Sequence, residues 1–207
     1  MRPLPRVHAF TDAALLRTPE FGVRAAAIAA GGSAVALHAR APGEGGGFLA
    51  AGALRILALA RPPEAAVFIN GRPDVAAALS AGGVQLTLRD LGPRDARRVF
   101  PHGWIGCSVH RPDEAAAAVA DGADFLVVGS IYETASHPGQ PATGTRLVTE
   151  CAKLGRPVIA IGGITPERAI EVKAAGAYGV AAIRALWAAP DPAAATLALL
   201  APWADDT

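Results

Sequence analysis

Eight short apolar runs recur along the chain, and alanine-rich segments that favour helix separate them. Each run is nearly continuous and is bounded by turn residues, as in strands that are buried on both faces of a parallel sheet. The runs are VHAF at 7–10, AVAL at 34–37, AVFI at 66–69, GVQL at 83–86, WIGC at 104–107, DFLVV at 124–128, PVIAI at 157–161 and YGVAAI at 178–183. Eight strands that alternate with helices predict an α/β fold, a single (β/α)8 TIM barrel over residues 1–207. A flavodoxin-like open sheet usually has only about five strands, so it is the weaker alternative.

The helices between these runs also carry boundary signals. Arg111-Pro112-Asp113-Glu114 and Thr165-Pro166-Glu167 combine an early proline with acidic residues, so both predict helix starts. Asp90 is a further candidate cap, for a short helix at 90–98. Glycine ends four of the alanine-rich segments just before the next strand, which suits the left-handed residue that closes a helix. These glycines are Gly82, Gly122, Gly155 and Gly176.

Composition limits the class of protein. With 207 residues, 52% hydrophobic, the chain can bury one sizeable core, and its formal net charge of +1 predicts neither a nucleic-acid partner nor a membrane surface. The longest apolar segment, FLAAGALRILALA, is interrupted by Arg55 and is too short to span a bilayer. Two cysteines make no disulfide framework, and the N-terminus lacks a signal-peptide pattern, so we expect a soluble cytoplasmic protein. Trp187 and Trp203 are candidate exposed aromatic residues for a homodimer interface.

Polar residues follow the predicted strands, where the chemistry of a barrel is found. In this fold the active site forms at the C-terminal ends of the strands, so these residues are expected at one mouth of the barrel. They are Thr11, Asp12, His38, Arg40, Asn70, Arg72, Gln85 to Asp90, Ser108, His110, Gly129 to His137, Gly162, Gly163, Ile183 and Arg184.

The segment AIGGIT at 160–165 predicts a phosphate site. Paired glycines, Gly162 and Gly163, end one strand and precede a helix, so backbone N–H groups can approach an anion at the positive end of that helix. Ile183 and Arg184, after the eighth strand, are expected to add backbone donors, because barrels most often hold phosphate at their last two strands. The alternatives are that the glycines only form a tight turn and that the Arg184 side chain only extends to solvent.

Three longer segments resemble a known family. FINGRPDVAAALSAGGVQL, WIGCSVHRPDEAAAAVADGADFLVVGSIYET and PVIAIGGITPERAIEVKAAGAYGVAAI are similar in order and spacing to the thiamin phosphate synthase/TenI superfamily. The resemblance runs from about the first strand to about residue 187 and implies a (β/α)8 barrel. It also implies one of two activities. Thiamin phosphate synthases join hydroxymethylpyrimidine diphosphate to thiazole phosphate with Mg²⁺, whereas TenI-like thiazole tautomerases aromatise carboxythiazole phosphate without a metal.

The synthase pattern is only partly present. Its Asn-Asp-Arg, whose aspartate binds Mg²⁺, reads Asn70-Gly71-Arg72 here, and Asp90 keeps the place of a second metal aspartate. Its Gln-x-Arg-x-Lys reads Ala36-Leu37-His38-Ala39-Arg40, and its Thr-x-Thr-Lys reads Thr134-Ala135-Ser136-His137. Mg²⁺ with a diphosphate normally uses one or two carboxylates. We therefore expect no metal and no cofactor.

The tautomerase pattern fits better. Asn70-Gly71-Arg72, Val84-Gln85-Leu86, Ser108-Val109-His110 and Glu133-Thr134 all match that branch, and the resemblance implies that His110 is the acid–base residue. A histidine can both take and give a proton near neutral pH. The other residues implied in binding the small-molecule thiazole phosphate are Arg40, Asn70, Arg72, Gln85, Ser108 and Thr134.

Several assignments stay open at this point. Arg40, Arg72 and the Ser108 hydroxyl are equal candidates for binding the substrate carboxylate, and Gln85 is a candidate partner of the ring or the carboxylate. His38 and His137 are alternative acid–base residues, and His110 has the alternative of an ordinary exposed loop histidine. The function has two alternatives besides the tautomerase: a divergent Mg²⁺-dependent thiamin phosphate synthase and a non-catalytic regulator that binds thiazole phosphate.

Overall fold

The computed structural model describes residues 2–61, 64–134 and 142–206. Eight parallel strands pair in chain order, and the eighth pairs with the first, so the sheet closes into a barrel. The predicted fold class is confirmed. The strands are β1 (Val7–Phe10), β2 (Val35–Ala39), β3 (Ala66–Asn70), β4 (Gly83–Leu86), β5 (Trp104–Val109), β6 (Phe125–Val128), β7 (Val158–Ile161) and β8 (Gly179–Ala182).

Helices connect the strands around the outside of the barrel. The helices are α1 (Ala13–Arg17), α2 (Phe21–Ala29), α3 (Gly46–Ala60), α4 (Pro73–Ala78), α5 (Pro93–Val99), α6 (Pro112–Ala120), α7 (Thr145–Ala152), α8 (Pro166–Ala174), α9 (Arg184–Trp187) and α10 (Pro192–Leu200). Short 3₁₀ turns lie at Gly32–Ala34 and Ala201–Trp203. No helix within these described ranges is long and apolar enough to cross a membrane.

The strand boundaries differ most from the sequence prediction at β2 and β5. Both strands continue two residues past the apolar run, to Ala39 and Val109, because the added residues still pair with β3 and β6. The longer β2 carries His38 inside the barrel instead of at its mouth. The longer β5 includes Ser108, next to the end of the strand and two residues before His110.

Aromatic side chains fill the inside of the barrel, and glycines make room for them. Phe68 and Phe125 are fully buried there and meet edge to face, with ring centroids 5.9 Å apart. A Cβ atom at Gly83 would overlap the Phe68 ring, and one at Gly106 would overlap Phe125. These two strand glycines therefore allow a densely packed barrel interior.

A second apolar layer lies between the strands and the helices. Trp187 and Trp203 belong to it, with only 2% and 4% of their surface exposed, and Trp187 stacks on Phe21 at 5.2 Å. The prediction that these tryptophans are exposed for a dimer interface is wrong, because α9 and the final 3₁₀ turn fold back onto the barrel. Burial raises the pKa of Cys107 to about 12 and that of Cys151 to about 11, so both free thiols stay protonated near neutral pH.

Most of the predicted helix boundaries are confirmed. Pro112 and Pro166 begin α6 and α8, and the Thr165 side chain caps α8 by accepting from the Arg168 N–H. Two predictions are wrong. Asp90 does not cap α5, because its carboxylate closes a turn with Thr87 and Gly92 is the N-cap residue. Gly82 does not close α4, because its φ is not positive and Ser80 takes the left-handed conformation (φ 50°) after that helix. The other predicted closing residues, Gly122, Gly155 and Gly176, all have positive φ.

Candidate active site

A cavity of about 1060 Å³ opens at the C-terminal ends of the strands. Ten of the eleven residues predicted for the site line it, and Gln85 is the exception. The fold thus brings together side chains that are as far as 144 positions apart in sequence, from Arg40 to Arg184. The ten are Arg40, Asn70, Arg72, Ser108, His110, Thr134, Gly162, Gly163, Ile183 and Arg184.

The glycine pair forms one side of the cavity with backbone alone. Gly162 and Gly163 have φ values of +103° and +63°, and a Cβ atom at Gly163 would lie 2.7 Å from the Glu133 carbonyl. The N–H groups of Gly163 and of Arg184, which begins α9, have no acceptor within the described residues. Backbone donors of this kind at helix starts suit a phosphate group.

Arg168 supports this turn, and the sequence analysis missed it. Its Nη1 donates to the Gly163 carbonyl at 2.6 Å, and its guanidinium lies 4.4 Å from the centre of the Tyr132 ring. The Tyr132 hydroxyl donates to Glu171, and burial together with that carboxylate raises the pKa of Tyr132 to about 12. The position of Arg168 in the sequence, three residues after the Thr165 cap of α8 and about one helical turn from the glycines, could have indicated this role.

His110 lines the same cavity, directly after β5. Its backbone N–H donates to the Glu114 carboxylate at 2.8 Å, which holds the residue at the start of α6. Its ring Nδ1 contacts the Gly129 carbonyl. A carbonyl oxygen only accepts, so Nδ1 carries a hydrogen, and in the neutral ring Nε2 is then the lone pair. This is the tautomer that a general base needs.

Ser108 lies beside His110, and Gln85 holds its hydroxyl from below. Gln85 is fully buried, and its Nε2 donates to the Leu86 carbonyl at 3.2 Å and to Ser108 Oγ at 3.0 Å. Ser108 Oγ therefore accepts from Gln85, and its own O–H is left to donate into the cavity. The structure places Gln85 behind Ser108, not in reach of a ligand. Its Oε1 is buried without a partner in the described residues, which is the cost of this orientation.

His38 lies deeper than predicted. It is fully buried, stacked 3.9 Å from Phe10, and hydrogen-bonded to His8 and to Asn70. Burial and the neighbouring His8 hold the pKa of His38 well below its usual range. The prediction that His38 stands at the mouth as an alternative acid–base residue is wrong for that reason. His137, the other alternative, lies outside the described residues.

The structure separates the two arginine candidates. Arg72 is exposed and holds Asp74 with two bonds, Nε to Oδ1 at 2.8 Å and Nη2 to Oδ2 at 2.5 Å. Arg40 is half-buried on the cavity wall, and no described residue makes a hydrogen bond or ion pair with its guanidinium. Burial lowers the pKa of Arg40 from its ordinary value, although the residue stays charged. An anionic ligand meets an available cation at Arg40.

Among the described residues, three carboxylates line the cavity, those of Glu44, Asp90 and Glu133. Glu44 is paired with Arg17 at 2.8 Å, and Asp90 accepts from both the N–H and the hydroxyl of Thr87. Gly71, at φ +72°, faces Asp90 and supplies no ligand. Within the described ranges there is no group of three or more His, Cys, Asp or Glu that could hold a metal. Mg²⁺ accepts carboxylate oxygens as ligands, but Glu44 is engaged by Arg17 and one oxygen of Asp90 by Thr87, so these described residues offer no preformed ligand cluster.

Comparisons with known proteins agree with this architecture. A family model described as thiamine monophosphate synthase matches residues 7–186. The chain is similar to the thiamine-phosphate synthase of Thermus thermophilus, with 46% identity over 147 residues, 70% of this chain and 71% of that protein. It is also similar to the Mycobacterium bovis thiamine-phosphate synthase, with 42% identity over 148 residues, 69% and 67% of the two chains. A solved thiamine phosphate pyrophosphorylase from Pyrococcus furiosus superposes with a TM-score of 0.79 and 29% identity over 95% of this chain and 94% of that chain. The chain belongs to the thiamine monophosphate synthase family and is an enzyme of thiamine biosynthesis.

Proposed function

We propose that this enzyme is a thiazole tautomerase that aromatises carboxythiazole phosphate by proton transfer through His110. The observation that carries the proposal is the contact of His110 Nδ1 with the Gly129 carbonyl, which leaves Nε2 of the neutral ring to act as the base. The residue lines the same cavity as the glycine pair that suits a phosphate. A base and an anion site in one cavity fit an isomerase that needs no second substrate.

Binding of the phosphate at Gly163 and Arg184 would fix the position of the thiazole ring in the cavity. The carboxylate then has two partners available on the opposite side, the Arg40 guanidinium and the hydroxyl that Ser108 directs into the cavity. Both strengthen their interaction as negative charge builds up on the carboxylate during deprotonation. Arg72 is a weaker candidate, because Asp74 already occupies its guanidinium.

The chemistry needs only one positioned proton carrier. His110 Nε2 takes the proton from the ring carbon that bears the carboxylate and returns it to the exocyclic carbon, and the ring becomes aromatic. When the substrate is held in place and the two carbons lie on one face of its ring, one histidine can carry out both proton transfers. General acid–base catalysis of this kind is worth about 10²- to 10⁴-fold in rate.

A second candidate function is thiamin phosphate synthesis, which the names of the similar proteins from Thermus thermophilus and Mycobacterium bovis favour. That reaction requires Mg²⁺ and a diphosphate leaving group. Two of the described carboxylates on the cavity are already engaged, Glu44 by Arg17 and Asp90 by Thr87, and this disfavours Mg²⁺ binding there. The tautomerase is preferred on this ground.

The test is a pair of assays on wild type and His110→Gln. We expect wild type to convert the non-aromatic carboxythiazole phosphate to its aromatic isomer in the presence of EDTA, and His110→Gln to be slower by about 10²- to 10⁴-fold. In parallel, formation of thiamin phosphate from the pyrimidine diphosphate and thiazole phosphate is measured with and without Mg²⁺.

His102→Gln is the matched control, because His102 is exposed at the other end of the barrel beside Trp104 and should leave the rate unchanged. Thiamin phosphate formation that depends on Mg²⁺, with no isomerisation, would establish the synthase instead. Tight binding of the thiazole phosphate with neither activity would make the protein a regulator.

A further inference from the structure

A column of buried hydrogen bonds runs along the inside of the barrel to the wall of the cavity. His8 Nε2 lies 3.1 Å from the Pro5 carbonyl, and His8 Nδ1 lies 2.8 Å from His38 Nε2. His38 Nδ1 in turn lies 3.0 Å from the Asn70 amide. Both rings are fully buried, and each of these contacts needs one hydrogen. The proposed proton transfer uses neither histidine.

The Pro5 end sets the direction of the whole column. A carbonyl oxygen only accepts, so His8 Nε2 must carry the hydrogen of that contact. In a neutral ring His8 Nδ1 is then the acceptor, and His38 Nε2 must donate to it. His38 Nδ1 is left as a lone pair directed at Asn70.

This lone pair decides the orientation of the Asn70 amide. As placed, Asn70 presents its oxygen to His38 Nδ1, which would set two acceptors against each other. Rotation of the amide by 180° exchanges oxygen and nitrogen without moving any other group. We infer that Asn70 donates from Nδ2 to His38 and turns its carbonyl oxygen into the cavity, so that His8 and His38 are positioning residues that make Asn70 a hydrogen-bond acceptor.

The alternative is that His8 or His38 is protonated on both nitrogens, and burial disfavours this charged form. Burial lowers the pKa of His8 to about 4 and holds that of His38 well below its usual range. Phe10 and Phe68 stack on His38 with centroids at 3.9 and 5.1 Å, so apolar rings and not polar groups cover its faces. The other polar atom of the Asn70 amide has no hydrogen-bond partner within the described residues. It is not among the fully buried atoms of those residues that lack a partner, so it is exposed to the cavity.

The wall of the cavity then presents opposite polarity at two points. Ser108 presents an O–H donor and Asn70 presents an oxygen acceptor, each fixed by a buried partner below it. A ligand meets this wall best with an N–H, an O–H or a bound water at Asn70 and with an anion at Ser108. For the proposed substrate, and only on the proposed function, the carboxylate must lie away from Asn70. The assignment of the column itself does not depend on that function.

The experiment records long-range ¹H–¹⁵N correlations of the histidine rings in ligand-free, ¹⁵N-labelled full-length protein at pH 7.5. We expect the two rings of the column to be neutral with hydrogen on Nε2. The His8→Gln and His38→Gln variants assign the signals. Should either variant fail to fold, His102→Gln and His110→Gln identify exposed rings, and the column rings remain those with solvent-protected N–H protons. A hydrogen on His38 Nδ1, in either a neutral or a cationic ring, would overturn the inference.

Asn70→Asp sharpens the result. An ionised aspartate only accepts, so His38 must gain a hydrogen on Nδ1 that wild type lacks, and the Nδ1 signal is expected to shift from that of an unprotonated to that of a protonated nitrogen. An unshifted signal would mean that Asn70 already presents its oxygen to His38. Both readouts are taken without substrate, so failure here and absence of tautomerase activity are separate results.

Discussion

The two sides of the cavity are built in different ways. The side formed by β7 and β8 offers backbone N–H groups, at Gly163 and Arg184, and glycines that allow close approach. The side formed by β2 to β5 offers side chains, and partners underneath hold the most important of them: His38 below Asn70, and Gln85 below Ser108. An anion site needs only N–H groups and positive potential, whereas directional recognition needs side chains with a fixed polarity.

This contrast predicts opposite sensitivities. The glycine side should tolerate changes of neighbouring side chains that do not support the turn as Arg168 does, but not the addition of a single Cβ atom. On the side formed by β2 to β5, loss of a single polar atom should lower activity, and so should changes in groups that the ligand never contacts. Three variants test this, in order of expected effect.

Gly163→Ala should have the largest effect. The added Cβ would lie 2.7 Å from the Glu133 carbonyl and 2.8 Å from Tyr132 Cβ, and φ is +63°, so the turn must shift. A shift of about 1 Å at a positioning group can cost roughly a hundredfold in kcat/KM. We expect that loss, mostly in KM, in steady-state kinetics, with stability lower by about 1–3 kcal/mol.

Gly155→Ala is the control for this variant. Gly155 has a similar φ of +72° but open space around its Cβ position and no place on the cavity wall. It should lose stability without loss of kcat/KM. Equal activity losses in the two variants would mean that backbone strain, and not the anion site, explains the effect.

Ser108→Ala should have an intermediate effect. It removes the hydroxyl that Gln85 orients, and a hydrogen bond to a charged group is worth about 1.5–3 kcal/mol. We expect kcat/KM to fall at least about tenfold, as 1.4 kcal/mol corresponds to a factor of ten. Ser33→Ala, at an exposed serine of the first 3₁₀ turn, is the control. An unchanged kcat/KM in Ser108→Ala would remove Ser108 from the site.

His8→Gln should have the smallest effect, on the pH dependence of stability. The unfolded chain protonates His8 near pH 6.5, whereas burial lowers the native pKa to about 4. The unfolded state therefore binds more protons between these values, so His8 makes the protein less stable as pH falls from about 6.5 towards 4. Between pH 7.5 and 5.5, wild type should lose about 1 kcal/mol more than His8→Gln in denaturant unfolding. Parallel losses in the two proteins would mean that His8 is already charged in the native state.

Much of the fold was predictable from local pattern. Strands β1 and β4 begin and end where the apolar runs do, since a strand buried on both faces must be apolar throughout. The ends of β2 and β5 were not predictable, because polar His38 and Ser108 stay in strands only through pairing with neighbours. The tryptophans were misjudged for a similar reason, since the end of the chain folds over Trp187 and Trp203.

The barrel, the glycine turn and most of the residues that meet at the mouth could be predicted from the sequence, because strand ends and glycine pairs are local features. What each side chain can do there depends on the tertiary structure. In the folded barrel, Gln85 and His38 hold Ser108 and Asn70 in place. Arg72 binds Asp74, whereas Arg40 stays available to a ligand, and His110 carries a hydrogen on Nδ1. Donor and acceptor roles depend on partners from distant strands, and those contacts exist only once the barrel has closed.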